Sequence, residues 1–157
     1  MKRKFQHQVL LLLVTASFII LSSCTKDNDD MVVTKTALLT SAPWKRTALI
    51  STPAYDWYGN GNLITNLLDA MLPCEKDNFE TYRTDNFWEL NEGATKCIQT
   101  DPQTWSFTWA FADNENKLVF DGFDEYVLVE LTSSTLKLRQ AFVENGVTYT
   151  FDDSYGH

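Results

Sequence analysis

The sequence predicts an all-β fold: an antiparallel eight-stranded up-and-down barrel with one short helix in its first long connection. Three observations point there. From Trp44 onward large apolar and small polar residues alternate with period two, the mark of strands with one buried face. Turn residues interrupt that alternation every 6 to 12 positions. The links between strands are short, which favours antiparallel neighbours over crossovers. Eight such strands leave two unpaired edges unless they close, and a barrel of that size closes readily.

The elements follow in order. Trp44 to Thr52 reads as the first strand. Asn78 to Thr84 and Phe87 to Asn91 form the next pair, joined through Asp85-Asn86, where Asn tolerates the left-handed turn position. Thr104 to Phe111 is the cleanest strand, with Trp105, Phe107, Trp109 and Phe111 on one face and Thr104, Ser106, Thr108 and Ala110 on the other. Asp113 to Asn116 is a turn, Lys117 to Asp121 a strand, Gly122 a bend and Glu125 to Leu131 another strand. Thr135 to Phe142 and Val147 to Phe151 close the set around an Asn145-Gly146 hairpin.

One segment breaks the meander. Leu63, Ile64, Leu67, Leu68, Met71 and Leu72 recur at helical spacing, with Asn62 as N-cap and Pro73 as terminator, so a helix is expected over 63–72. It would lie across one barrel mouth, as a plug or as a lid. The loop before it, residues 55–61, carries Tyr55, Trp57 and Tyr58 between polar residues and glycines.

The chain begins differently. Lys2-Arg3-Lys4 precedes an apolar run from Val9 to Leu21, too short to span a bilayer and of the length of a secretory signal's core. Leu21-Ser22-Ser23-Cys24 resembles the lipobox of bacterial lipoproteins, which implies cleavage before Cys24 and lipidation of its sulfur with acyl chains such as palmitate. Two or more acyl chains anchor a protein stably where one does not. Thr25-Lys26-Asp27-Asn28-Asp29-Asp30 resembles the acidic surface-export signal of Bacteroidetes lipoproteins, which implies an outer-membrane protein facing the cell exterior. The organisation is then a signal peptide over 1–23, a lipidated cysteine with a polar tether over 24–36, and the barrel over 37–157.

Charge narrows the function. Three of the 13 bases leave with the leader, so 10 remain against 21 acids. Such a surface repels phosphate backbones, and no nucleic-acid partner is expected. His7 also leaves, and His157 is the last residue, which removes most routes to a histidine base or a zinc site. No metal, no cofactor and no catalysis are expected, because a nucleophile would lack its base and most acids stand at turns (Asp85, Asp113, Asp121, Asp152).

Leu38-Leu39-Thr40 leading to Trp44-Lys45, then Pro73 to Asp77, Asn91 to Cys97 and Phe107 to Ala110, come in an order that resembles the lipocalin-like domain of Bacteroidetes lipoproteins, over residues 38–151. Phe107 stands where that family usually has glycine, and Asp85-Asn86 where it has an Asp-Gly turn. The resemblance implies a small hydrophobic ligand inside the barrel. With Cys24 taken by lipid, Cys74 and Cys97 are the remaining pair in an exported chain, and a disulfide is expected over a metal site or a reactive thiol. Trp105, Phe107, Trp109, Phe111 and Tyr126, with Leu118, Phe120 and Leu128, are the candidate ligand-binding residues. Four large rings on one strand weigh slightly toward a filled core over a ligand cavity. The other function class is a surface-displayed module binding glycan or protein through Tyr55, Trp57, Tyr58 and the helix. In either case the expected partners are the membrane, through the anchor, and one ligand for a monomeric chain.

Overall fold

The computed structural model describes residues 32–157. The expected signal peptide over 1–23, the lipid attachment at Cys24 and the tether up to residue 31 lie outside the described residues.

A helix missed in the sequence comes first: α1, Lys35–Leu39, capped by Thr34, whose side chain accepts from the Ala37 N–H at 3.1 Å. Then come β1 (Trp44–Tyr55), β2 (Ile64–Asn66), α2 (Leu67–Ala70), α3 (Pro73–Lys76), β3 (Phe79–Tyr82), β4 (Phe87–Asn91), β5 (Thr104–Ala112), β6 (Lys117–Phe120), β7 (Asp124–Leu131), β8 (Thr135–Glu144) and β9 (Val147–Gly156). Each strand from β3 to β9 pairs antiparallel with the next. β1 pairs with β3 on one side and β9 on the other, which closes an eight-stranded up-and-down barrel. β2 stands outside the count, paired with the far half of β1.

The turns use the residues the sequence singled out. Asn86 (φ 67°), Asn145 (φ 51°) and Gly146 (φ 78°) all occupy the left-handed region that a tight hairpin requires. Asp121 and Gly122 do the same between β6 and β7.

The expected helix over 63–72 does not form as one element. Ile64 and Thr65 are β-branched and pair as β2 against β1, with Tyr55 opposite Ile64 and Ile50 opposite Asn66. Only Leu67–Ala70 turns helically. Asn66, not Asn62, stands at its N-cap position, its side chain bonded to Asp69 at 2.7 Å. Pro73 opens α3 instead of ending a helix, since its fixed φ and missing N–H suit a first turn. The apolar stripe is split accordingly: Leu67 is fully buried, while Leu63 and Leu72 are exposed.

A second correction concerns β9, which runs five residues past Phe151. Asp152, read as a turn acid, is an outward strand residue held by Arg139 at 2.6 Å. Its neighbours Asp153 and Tyr155 point inward and are buried.

The two barrel ends differ. At the closed end α1 lies beside the β5–β6 turn, where the Lys35 ammonium donates to the Glu115 carbonyl at 2.6 Å. Leu39 and Trp44 are fully buried there, and the Trp44 indole N–H donates to the Leu39 carbonyl at 2.8 Å. The contiguous core continues through Tyr82, Trp109, Leu118 and Leu136. The His157 ring lies 3.9 Å from that of Trp44.

At the other end, the mouth, the long β1–β3 connection is clamped to the β4–β5 loop. Cys74 and Cys97 form a disulfide with Cα atoms 5.2 Å apart. Closing a loop of that length stabilises by roughly 3 kcal/mol in the chain-entropy model. The Asp77 carboxylate accepts from the Thr95 hydroxyl and N–H and from the Ala94 N–H, at 2.7–3.1 Å. These bonds, that from the Thr95 hydroxyl first, hold Asp77 below its usual range. Gly93 (φ 66°) lets the loop pass so close that a Cβ would fall 2.4 Å from the Asp77 carbonyl oxygen.

Candidate functional site

Between the closed end and the clamped mouth the barrel holds a cavity of about 420 Å³. Its walls come in three groups. Aromatic rings from adjacent strands form one side: Trp88 of β4, Phe107 of β5, Phe120 of β6 and Tyr126 of β7. Trp88 sits 4.9 Å from Phe107 and 5.1 Å from Phe120, which in turn meets Tyr126 edge-on at 5.5 Å. Met71, Glu75 and Asn78 of the long connection, with Asp121 and Asp124, reach it from the mouth.

The third group is charged and was not anticipated. Arg46 of β1, Glu80 of β3 and Asp153 of β9 all face inward. Arg46 Nε donates to both Asp153 oxygens at 2.8 and 3.1 Å, and Nη2 donates to the Tyr155 hydroxyl at 2.9 Å. Tyr155 donates onward to Asp153 at 2.7 Å. Glu80 Oε2 accepts from the Trp88 indole at 3.0 Å and the Tyr82 hydroxyl at 3.1 Å. Its other oxygen, Oε1, is 3.8 Å from Arg46 Nη2, too far for a hydrogen bond.

Burial sets the electrostatics. It pushes the Glu80 carboxyl above the ordinary carboxylate range, against the pull of Arg46. Asp153 is pushed up for the same reason, again opposed by Arg46 and by the Tyr155 hydrogen bond. Burial works against the Arg46 charge too, but Tyr155, Asp153 and Glu80 outweigh it and hold the guanidinium above its usual range. The barrel floor is thus a network of one fixed cation and two carboxyls that burial raises above their ordinary range.

The residues expected to bind ligand divide. Phe107 and Tyr126 line the cavity. Trp109 is 4% exposed and packs in the core, meeting Phe111 edge-on at 5.4 Å, with its indole N–H on the Arg83 carbonyl at 3.1 Å. Trp105 lies toward the mouth and is 39% exposed. The loop aromatics divide as well. Tyr55 packs on Phe142, Tyr149 and Phe151 at 4.9–5.8 Å. Trp57 and Tyr58 are 38% and 55% exposed, with the Tyr58 hydroxyl donating to the Ala70 carbonyl.

Sequence reasoning missed Arg46, Glu80 and Asp153, although a signal was there. Arg46 is in period-two phase with Trp44, Glu80 with Tyr82, and Asp153 with Phe151 and Tyr155. A charge in phase with buried aromatics on both of two neighbouring strands points inward.

Among the described residues no group of three or more histidine, cysteine or acidic side chains is arranged to hold a metal ion. Comparison of the chain with models of known protein families finds no match, and a search of curated proteins finds none either.

Proposed function

We propose that this domain is a lipocalin-like binder that holds one small molecule, apolar in its body, inside the barrel, while an acylated Cys24 ties the protein to the outer membrane, facing the exterior. The observation that carries the reading is the cavity of about 420 Å³, large enough for a small molecule and walled by rings from four adjacent strands. The leader, the lipobox-like Leu21 to Cys24 and the acidic stretch behind it support the anchor. The disulfide fits an oxidising compartment.

N-phenyl-1-naphthylamine, an apolar dye that is neutral at pH 7, tests the barrel. It is expected to bind saturably with one molecule per chain, to take energy from tryptophan emission, and to bind Trp57→Ala and Tyr58→Ala variants unchanged. The exposure of Trp57 and Tyr58 favours the surface module as the second reading. No saturable binding, or binding that disappears with those two rings, would move the function out of the barrel and onto the loop.

A further inference from the structure

Inside the same cavity, and resting on the barrel-binding reading, we infer that the ligand is a small organic cation: an amine or related group on an aromatic or aliphatic body, received by Glu80 and the rings around it. The charges lining the cavity are unbalanced. Arg46 is the one cation among them, against Glu75, Glu80, Asp121, Asp124 and Asp153. Two of those acids are engaged locally, Glu75 with the Leu72 N–H at 2.7 Å and Asp121 with the Thr108 N–H at 2.9 Å. Arg46 is directed mainly at Asp153 and Tyr155.

That leaves Asp124, which is exposed at the rim, and Glu80, whose side chain is only 8% exposed. Trp88 and Tyr82 fix Oε2, while Oε1 has no hydrogen-bond donor among the described residues and belongs to a side chain lining the cavity. A carboxylate oxygen that opens on a cavity and has no donor of its own is an acceptor waiting for one. The indole whose N–H edge fixes Glu80 belongs to the ring cluster walling the cavity, so the body of a cation held at Oε1 would lie in an aromatic chamber. Aromatic faces attract cations and leave neutral groups comparatively indifferent. A fatty acid carboxylate would meet five acids and a guanidinium whose Nε and Nη2 already face Asp153 and Tyr155, leaving only Nη1, which touches the Met71 sulfur at 4.0 Å.

Acid should release such a ligand. The charged and titratable groups lining the cavity with Glu80 are Arg46 from β1, Glu75 from α3, Tyr82 from β3, Asp121 just past β6, Asp124 and Tyr126 from β7, and Asp153 and Tyr155 from β9. Only the ionised carboxylates attract a cation. Burial raises Glu80, so binding is full above that raised value and falls as pH drops through it, earlier than for a surface carboxylate.

Three indoles of nearly equal shape separate charge from hydrophobicity: tryptamine (cationic), tryptophol (neutral) and indole-3-acetate (anionic), titrated into the full chain by calorimetry. Tryptamine is expected to bind at least about tenfold tighter than tryptophol, with indole-3-acetate weakest. Glu80→Gln keeps the Trp88 and Tyr82 contacts possible in shape. It should abolish the advantage of tryptamine over tryptophol. Equal affinities, or indole-3-acetate ahead, overturn the inference, and this series on the unaltered chain decides even if the variant does not fold. If none of the three binds while N-phenyl-1-naphthylamine does, the cation inference falls and the barrel reading stands. If the dye also fails, both fall.

Discussion

Arg46→Met is expected to lower stability by about 3 kcal/mol, read as a shift of the urea denaturation midpoint at neutral pH. The reason is desolvation. Glu80 and Asp153 have side chains only 8% and 10% exposed, and removing the guanidinium leaves two like charges facing each other in the barrel. Arg46 is itself 30% exposed toward the cavity, so water recovers part of the loss and the figure belongs at the low end for a broken buried pair. The sign with pH follows. Both carboxyls are already raised in the folded protein, so the variant's deficit should shrink as pH falls and they take up protons. Combining Arg46→Met with Glu80→Gln and Asp153→Asn should recover most of the stability, since no charge then remains unpaired in the floor. An Arg46→Met variant as stable as the parent at neutral pH would mean the carboxyls were never ionised together.

Trp44→Ala should be at least as damaging, by about 3–5 kcal/mol, the usual range for emptying a buried tryptophan site. Trp44 is fully buried and joins α1 through the Leu39 carbonyl, the residue after β9 through the His157 ring, and the cavity floor. Trp44→Phe separates packing from hydrogen bonding. It keeps an aromatic ring but strands a buried carbonyl, so a smaller loss of about 1–2 kcal/mol is expected. Set against a total stability of about 5–15 kcal/mol for a domain of this kind, the alanine variant should be marginal at physiological temperature. A loss below about 1 kcal/mol would show that α1 and the closed end contribute little to the barrel.

Much of the fold was legible because its signals are local. Period-two runs, Asn86 and the Asn145-Gly146 pair give strands and hairpins without reference to anything distant. The Cys74–Cys97 pairing was legible by elimination, and the structure gives it a context that the sequence could not. The same two segments are also joined by Asp77 to Thr95 and by the close approach at Gly93.

What failed was decided by distant partners. Ile64 and Thr65 fall within an apolar helical stripe, yet the far half of β1, paired with β9 on one edge, leaves its other edge open, and β-branched residues take it. Asp152 reads as a turn acid until Arg139 meets it from the neighbouring strand, and Asp153 beside it is met by Arg46 from the other side. The bulge in β1 between Arg46 and Ala48 shifts the phase, bringing Leu49 and Ser51 to buried positions that a strict alternation from Trp44 would turn outward. The site suffered most. Aromatic residues announced the cavity's walls, but its charged floor is assembled from three strands far apart in sequence, and no single stretch displays it.

Native mass spectrometry of the protein gently released from its own cells tests most directly whether this barrel is a container. The account predicts one adduct per chain, of small-molecule mass, displaced by N-phenyl-1-naphthylamine and carrying a basic group when fragmented. A population showing only the bare chain, or an adduct that the dye leaves in place and that is lost with Trp57 and Tyr58, would contradict it.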